Sequence, residues 1–155
     1  MSMNRRVGPV VIAVLAICAT ARAADKGPVS LSNAQVEFRD GFRSDGKQYP
    51  RMSVDVLVNK KPGKGMGLSC KATCQVGDKK MSDKAIAMAK WDELDEGETK
   101  RVDMAPFVGQ PLDAQPSNCE FSVRWGKLFG GDPKEVAKFC WTPEGVKDGA
   151  CPKAK

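Results

Sequence analysis

Histidine is missing from all 155 residues of the chain. Ser-His-Asp and Cys-His catalysis therefore lack their base, and zinc sites that need imidazole are excluded. Long apolar runs are scarce as well. The run at residues 7–19 would rise only about 20 Å as a helix, against a hydrocarbon core of roughly 30 Å, too little for a comfortable span. No later segment keeps a 3.6-residue period bounded by caps, which argues against a helical fold. The glycine-rich Gly63-Lys64-Gly65-Met66-Gly67 lacks the Walker spacing and the helix that would present amides to phosphate, and it reads as a mobile hairpin loop. The acidic run Asp92, Glu93, Asp95, Glu96 and Glu98 lacks the spaced ligand order of a calcium loop and reads as a solvated turn. No cofactor is expected.

What the N-terminus does have is an export signal. Arg5-Arg6 is a positive start, residues 7–19 are an uncharged apolar core, and Ala21-Arg22-Ala23 is a small-x-small cleavage pattern. Residues 1–23 are expected to be removed between Ala23 and Ala24, leaving 24–155 as a single domain in the periplasm or outside the cell. The competing reading anchors a lipoprotein through Cys18, but the bulky Ile17 before it argues against lipidation. Cleavage removes Arg5, Arg6 and Arg22, so 25 basic residues become 22 against 19 acidic ones and the net charge falls from +6 to +3. So small an excess is weak evidence for nucleic-acid or membrane binding, and neither nucleic acid nor a membrane span is expected.

Cleavage also removes Cys18 and leaves Cys70, Cys74, Cys119, Cys140 and Cys151, an odd number in a chain bound for an oxidising space. Two disulfides and one leftover thiol are expected. The dominant period is two. Met52, Val54, Val56 and Val58 alternate with Arg51, Ser53 and Asp55, and the even positions from Met66 to Val76 are apolar, so Cys70 and Cys74 both face a core. Further strands are expected at 34–38, 84–91, 99–107, 120–125 and 136–141. Turn chemistry separates them, from Asp45-Gly46 to Gly130-Gly131-Asp132-Pro133. About seven short strands imply an all-β, immunoglobulin-like antiparallel β-sandwich. If 118–125 and 136–141 pair about a turn near 129–130, Cys119 lies opposite Cys140. A Cys119–Cys140 bridge is then the leading choice, with Cys151 joined to Cys70 or Cys74.

The run Met52-Ser-Val-Asp-Val-Leu-Val-Asn59, a Lys/Gly-rich turn, a second alternating strand and then Leu94-Asp95-Glu96-Gly97-Glu98-Thr99 resembles bacterial immunoglobulin-like modules of the FxLYD and CARDB kind. The resemblance covers roughly residues 36–107; the FxLYD tetrad itself is absent, with Leu68-Ser69-Cys70-Lys71 in the comparable strand. It implies a binding or spacer unit of an envelope protein.

Three features point toward chemistry. Cys70-Lys-Ala-Thr-Cys74, with methionines elsewhere, suggests soft ligands for Cu(I) or a thiol-redox pair. In an extended strand, however, residues four apart lie about 13 Å apart at Cα, too far for one ion or a mutual disulfide. Lys60, Lys61 and Lys64 suggest contact with anionic lipid or polysaccharide, but three lysines fall short of the four to eight typical of lipid-directed clusters. Trp125 and Trp141 suggest a stacking surface, against the more frequent role of packing in a sandwich core. The expectation is an exported, non-enzymatic binding or accessory module with an unknown protein or envelope partner. The alternative is a periplasmic copper- or redox-handling protein using Cys70 and Cys74.

Overall fold

In the computed structural model, which describes residues 27–43 and 45–153, period-two alternation becomes eight strands: β1 (Val29–Asp40), β2 (Gln48–Val58), β3 (Met66–Val76), β4 (Lys79–Ile86), β5 (Thr99–Met104), β6 (Asn118–Lys127), β7 (Lys134–Thr142) and β8 (Gly145–Asp148). The cleavage site at Ala23 and Ala24 and the alternative anchor Cys18 lie outside the described residues. All strand pairs are antiparallel, in a three-stranded sheet β1-β2-β5 and a five-stranded sheet β4-β3-β6-β7-β8. The second and fifth strands share one sheet and the third, sixth and seventh the other, the immunoglobulin-like sandwich expected from the alternation.

Between the sheets lie the inward residues of both. Met52, Val54, Val56 and Val58 of β2 are fully buried, and so are Leu68, Ala72 and Cys74 of β3 and Cys119, Phe121 and Val123 of β6. Each set occupies alternate positions, because a pleated strand sends successive side chains to opposite faces. On the solvent face of the three-stranded sheet, charges pair instead. Asp55 accepts from Asn33 and Arg101, and Asp103 accepts from Ser53 and Arg51. Asn33, at φ 53°, occupies a bulge in β1, where two residues, Asn33 and Ala34, oppose one.

These bonds hold both carboxyls below the ordinary aspartate value of 3.8. The amide of Asn33 is the main cause for Asp55, with Arg101 next; the Ser53 hydroxyl is the main cause for Asp103. A carboxyl whose pKa is lower in the folded state contributes stability that is fully present above about pH 4 and is lost as the pH falls through the folded value. The wild type is therefore expected to lose stability more steeply below pH 4 than an Asp55→Asn/Asp103→Asn variant. Urea midpoints followed down the acid range check it, and parallel curves would remove the network as a source of acid sensitivity.

Several elements differ from the sequence expectation. The segment expected as a strand at 84–91 is displaced: the Gly77-Asp78 turn pairs Val76 with Lys79, so β4 starts early, runs as a charged sheet edge and stops at Ile86. Its end becomes a short 3-10 turn, Trp91–Glu93, pinned by the Trp91 indole donating to Ala87 O at 3.2 Å. The strand expected to reach 107 ends at Met104. Phe107 has left the sheet in the left-handed region, φ 67°, with its N–H donated to the Asp83 carboxylate at 2.7 Å. β8 carries one apolar residue, Val146, so no alternation announced it. The glycine-rich segment is not a hairpin loop, because it crosses from β2 in one sheet to β3 in the other.

The disulfide pairing also differs. Cys74 pairs with Cys119 and Cys140 with Cys151; neither a Cys119–Cys140 bridge nor one from Cys151 to Cys70 or Cys74 is present. In the β6–β7 ladder Cys119 stands opposite Trp141 and Cys140 opposite Glu120. That single-residue offset sends Cys119 into the core and Cys140 to the outer face, since a one-residue shift reverses every side chain. A bulge between Val123 and Arg124 leaves Val136 unpaired and moves the hairpin off the symmetric register. Cys119 instead faces Cys74 directly across β3 and β6, at a Cα separation of 4.1 Å. The C-terminal segment crosses the outer face to reach Cys140, with the Cys151 N–H donated to Glu120 at 2.9 Å.

Candidate functional site

Cys70 and Cys74 do face the core together, as expected, but only one keeps its thiol. The sulfur of Cys74 is committed to Cys119, and Cys70 is free. Cys70 lies between Val123 and Ala85 in neighbouring strands and is almost fully buried; burial pushes its thiol up to about 12. A thiol so high stays protonated, and the protonated form is neither nucleophile nor good ligand. Iodoacetamide is therefore expected to leave residues 24–155, folded and oxidised, unlabelled and to modify one thiol after unfolding. Rapid labelling of Cys70 in the folded protein would contradict its burial.

The basic and acidic runs, read separately along the chain, meet in the fold. The Lys61 ammonium lies 2.9 Å from the Asp95 carboxylate and donates to Leu94 O at 3.3 Å, joining the 59–65 loop to the 94–98 turn. Gly67, the last glycine of the run, has a packing role at the start of β3, whereas Gly65 serves the turn with φ 79°. A Cβ on Gly67 would stand 2.6 Å from a methyl of Leu128, and the Leu128 N–H donates to Gly65 O at 3.1 Å. The tryptophans pack. Trp141 lies on Phe38 with ring centroids 4.6 Å apart, and Trp125 meets Trp91 edge-on at 5.2 Å.

Trp125 has a second neighbourhood. With buried Val29 and half-buried Met66 and Val136 it lines a cleft of about 960 Å³ between the start of β1 and the first half of β7. Exposed Lys127, Asp132, Lys134 and Glu135 supply its charged lining. The cleft exists because β8 is short. It pairs with β7 only over Phe139–Thr142, and one further bond runs from the Gly149 N–H to Lys138 O. Among the described residues, no strand pairs with the outer side of β7 before that point, while β1 is one of the two edges of its own sheet. An apolar trough thus runs beside an unpaired stretch of backbone, and such an edge is a template for another strand. The sequence marked Trp125 but not this site, since its wall is assembled from four separate strands.

Compared with known proteins, the chain matches no family model, and neither a curated protein nor a solved structure is significantly similar to it.

Proposed function

We propose that this protein is an exported, non-enzymatic binding module of the cell envelope that takes an extended segment of a partner protein into the cleft between β1 and β7. The observation that carries the reading is the coincidence of an apolar trough with an unpaired edge at residues 134–137 of β7. Added strands gain affinity from main-chain hydrogen bonds and specificity from pockets for alternate side chains. Here one set of side chains meets Val29, Met66 and Trp125 on the inner face, and the other meets Glu135 on the outer face, where it stands across from Arg124. The partner segment therefore alternates apolar and charged or polar residues. Export after cleavage at Ala23 is supported by the N-terminal pattern and by the two disulfides, which persist in oxidising compartments. The resemblance of the β2 to β5 region to envelope immunoglobulin-like modules supports the same placement.

Short linear peptides selected from a displayed library against the mature protein test the reading. Selected sequences should alternate as described and should shift the backbone amide resonances of residues 134–138. Val136→Asp should weaken them about tenfold or more, since burying a valine side chain contributes roughly 1.5 kcal/mol or above. Peptides that perturb only other surfaces, or that bind Val136→Asp equally well, would refute it.

A further inference from the structure

The solvent face of the five-stranded sheet departs from the charge pairing seen elsewhere. On the three-stranded sheet Arg51 and Arg101 are answered by Asp103 and Asp55. On β3 and β4, Lys71 stands directly opposite Lys84, a like-charge pair that costs stability in a ladder. Lys71 is paired on its other side with Ser122, and Arg124 follows two residues along β6, a diagonal neighbour at roughly 7–8 Å. Lys127 ends the strand. Among the described residues none of these four cations forms an ion pair.

Neighbouring acids are occupied elsewhere. Glu135, across from Arg124, accepts from Ser122 at 2.8 Å and lies 3.9 Å from Lys138, and Asp83 accepts from the Phe107 N–H. The four cations line a groove of about 590 Å³ in which Asp132 is the one acid, and Ser69 apart its remaining wall is largely apolar, with Ile86, Leu128 and Pro133. β4 and β6 run in the same direction and leave the sheet at the same end. Just beyond them stand Met88, 89% exposed, and Phe129, 83% exposed. Bare aromatic and thioether side chains on two loops at one end are a poor arrangement for water alone, and a small soluble anion would make no use of them.

We propose that this end of the sandwich docks on a membrane surface bearing anionic phospholipid, with headgroup phosphates seated among Lys71, Lys84, Arg124 and Lys127 and with Met88 and Phe129 entering the interface. Four cations reach the lower bound of lipid-directed basic clusters. The count could not be made along the chain, because the four lie on three strands and only the sheet gathers them. Lys61, which the sequence grouped with Lys60 and Lys64, is neutralised by Asp95.

The test is co-sedimentation of the mature protein with phosphatidylcholine vesicles, with and without phosphatidylglycerol. Binding is expected only when phosphatidylglycerol is present, falling as salt rises. Lys71→Ala/Lys84→Ala/Arg124→Ala should weaken it about a hundredfold, at about fivefold per basic residue. Met88→Ser/Phe129→Ser should weaken it severalfold, while Lys79→Ala/Lys80→Ala, at the far end of β4, should not. Urea denaturation of each variant separates lost folding from lost binding. Equal binding to both vesicle types, or none, would overturn the proposal. So would competition by soluble glycerol phosphate, which would assign the groove to a free anion, or binding to dextran sulfate without binding to vesicles, which would assign it to an acidic polymer.

Discussion

Replacing Cys74 and Cys119 together by alanine is expected to lower the unfolding free energy by about 4 kcal/mol, read from urea midpoint and slope together, because the uncrosslinked denatured chain is less compact. The bridge closes a loop of 45 residues, against 11 for Cys140–Cys151, and in the chain-entropy account the longer loop removes more freedom from the unfolded chain. The shorter bridge should be worth about 3 kcal/mol. The two also differ in place. Cys74 and Cys119 are fully buried between the sheets, whereas Cys140 holds the C-terminal segment on the outer face. Loss of Cys140–Cys151 should therefore free the tail without opening the core, and amide exchange should show protection lost near Cys151 and kept in β3 and β6. An equal or larger loss for the Cys140/Cys151 double variant would mean that loop length does not set the order.

Phe121→Ala is the second large effect, expected at about 3–5 kcal/mol. Phe121 is the largest of the fully buried side chains, and its ladder neighbours Ala72 and Phe139 lie on the same inner face. Removing the ring leaves a cavity that Ala72, already small, cannot fill. With domain stabilities of about 5–15 kcal/mol, such a loss takes roughly a fifth or more of the total. Phe121→Leu should cost much less, because volume is largely kept. Similar losses for the two variants would show that the site collapses around either residue and that Phe121 is not the centre of packing.

The proportion of the fold that could be read along the chain follows from how local its determinants are. β2, β3 and β6 were legible because each has one face buried and one wet, so a period of two is written into the residues themselves. β4 was displaced because an edge strand has little to bury: Lys79 and Lys80 are as compatible with a strand there as Ile86, and the Gly77-Asp78 turn decides the start. β8, with Val146 as its one apolar residue, exists by pairing with β7 alone.

The candidate sites divide the same way. That Cys70 and Cys74 face inward was a matter of parity within one strand. That Cys74 should meet Cys119, and Cys140 face away from it, depended on the register between strands and on one bulge at Val123, to which a side-chain period is blind. The cleft beside Trp125 depends on where β8 stops, and the cation groove depends on three strands standing side by side.

By itself, then, the sequence determined the class of fold, the inward residues of its central strands and the absence of imidazole chemistry, because these rest on composition and on the two-residue repeat of an extended chain. Tertiary structure alone decided the disulfide pairs, the neutralisation of Lys61 by Asp95, the open edge of β7 and the gathering of Lys71, Lys84, Arg124 and Lys127. Each of these is a relation between residues far apart in the chain, set by strand register and sheet order, and a shift of one residue would undo it.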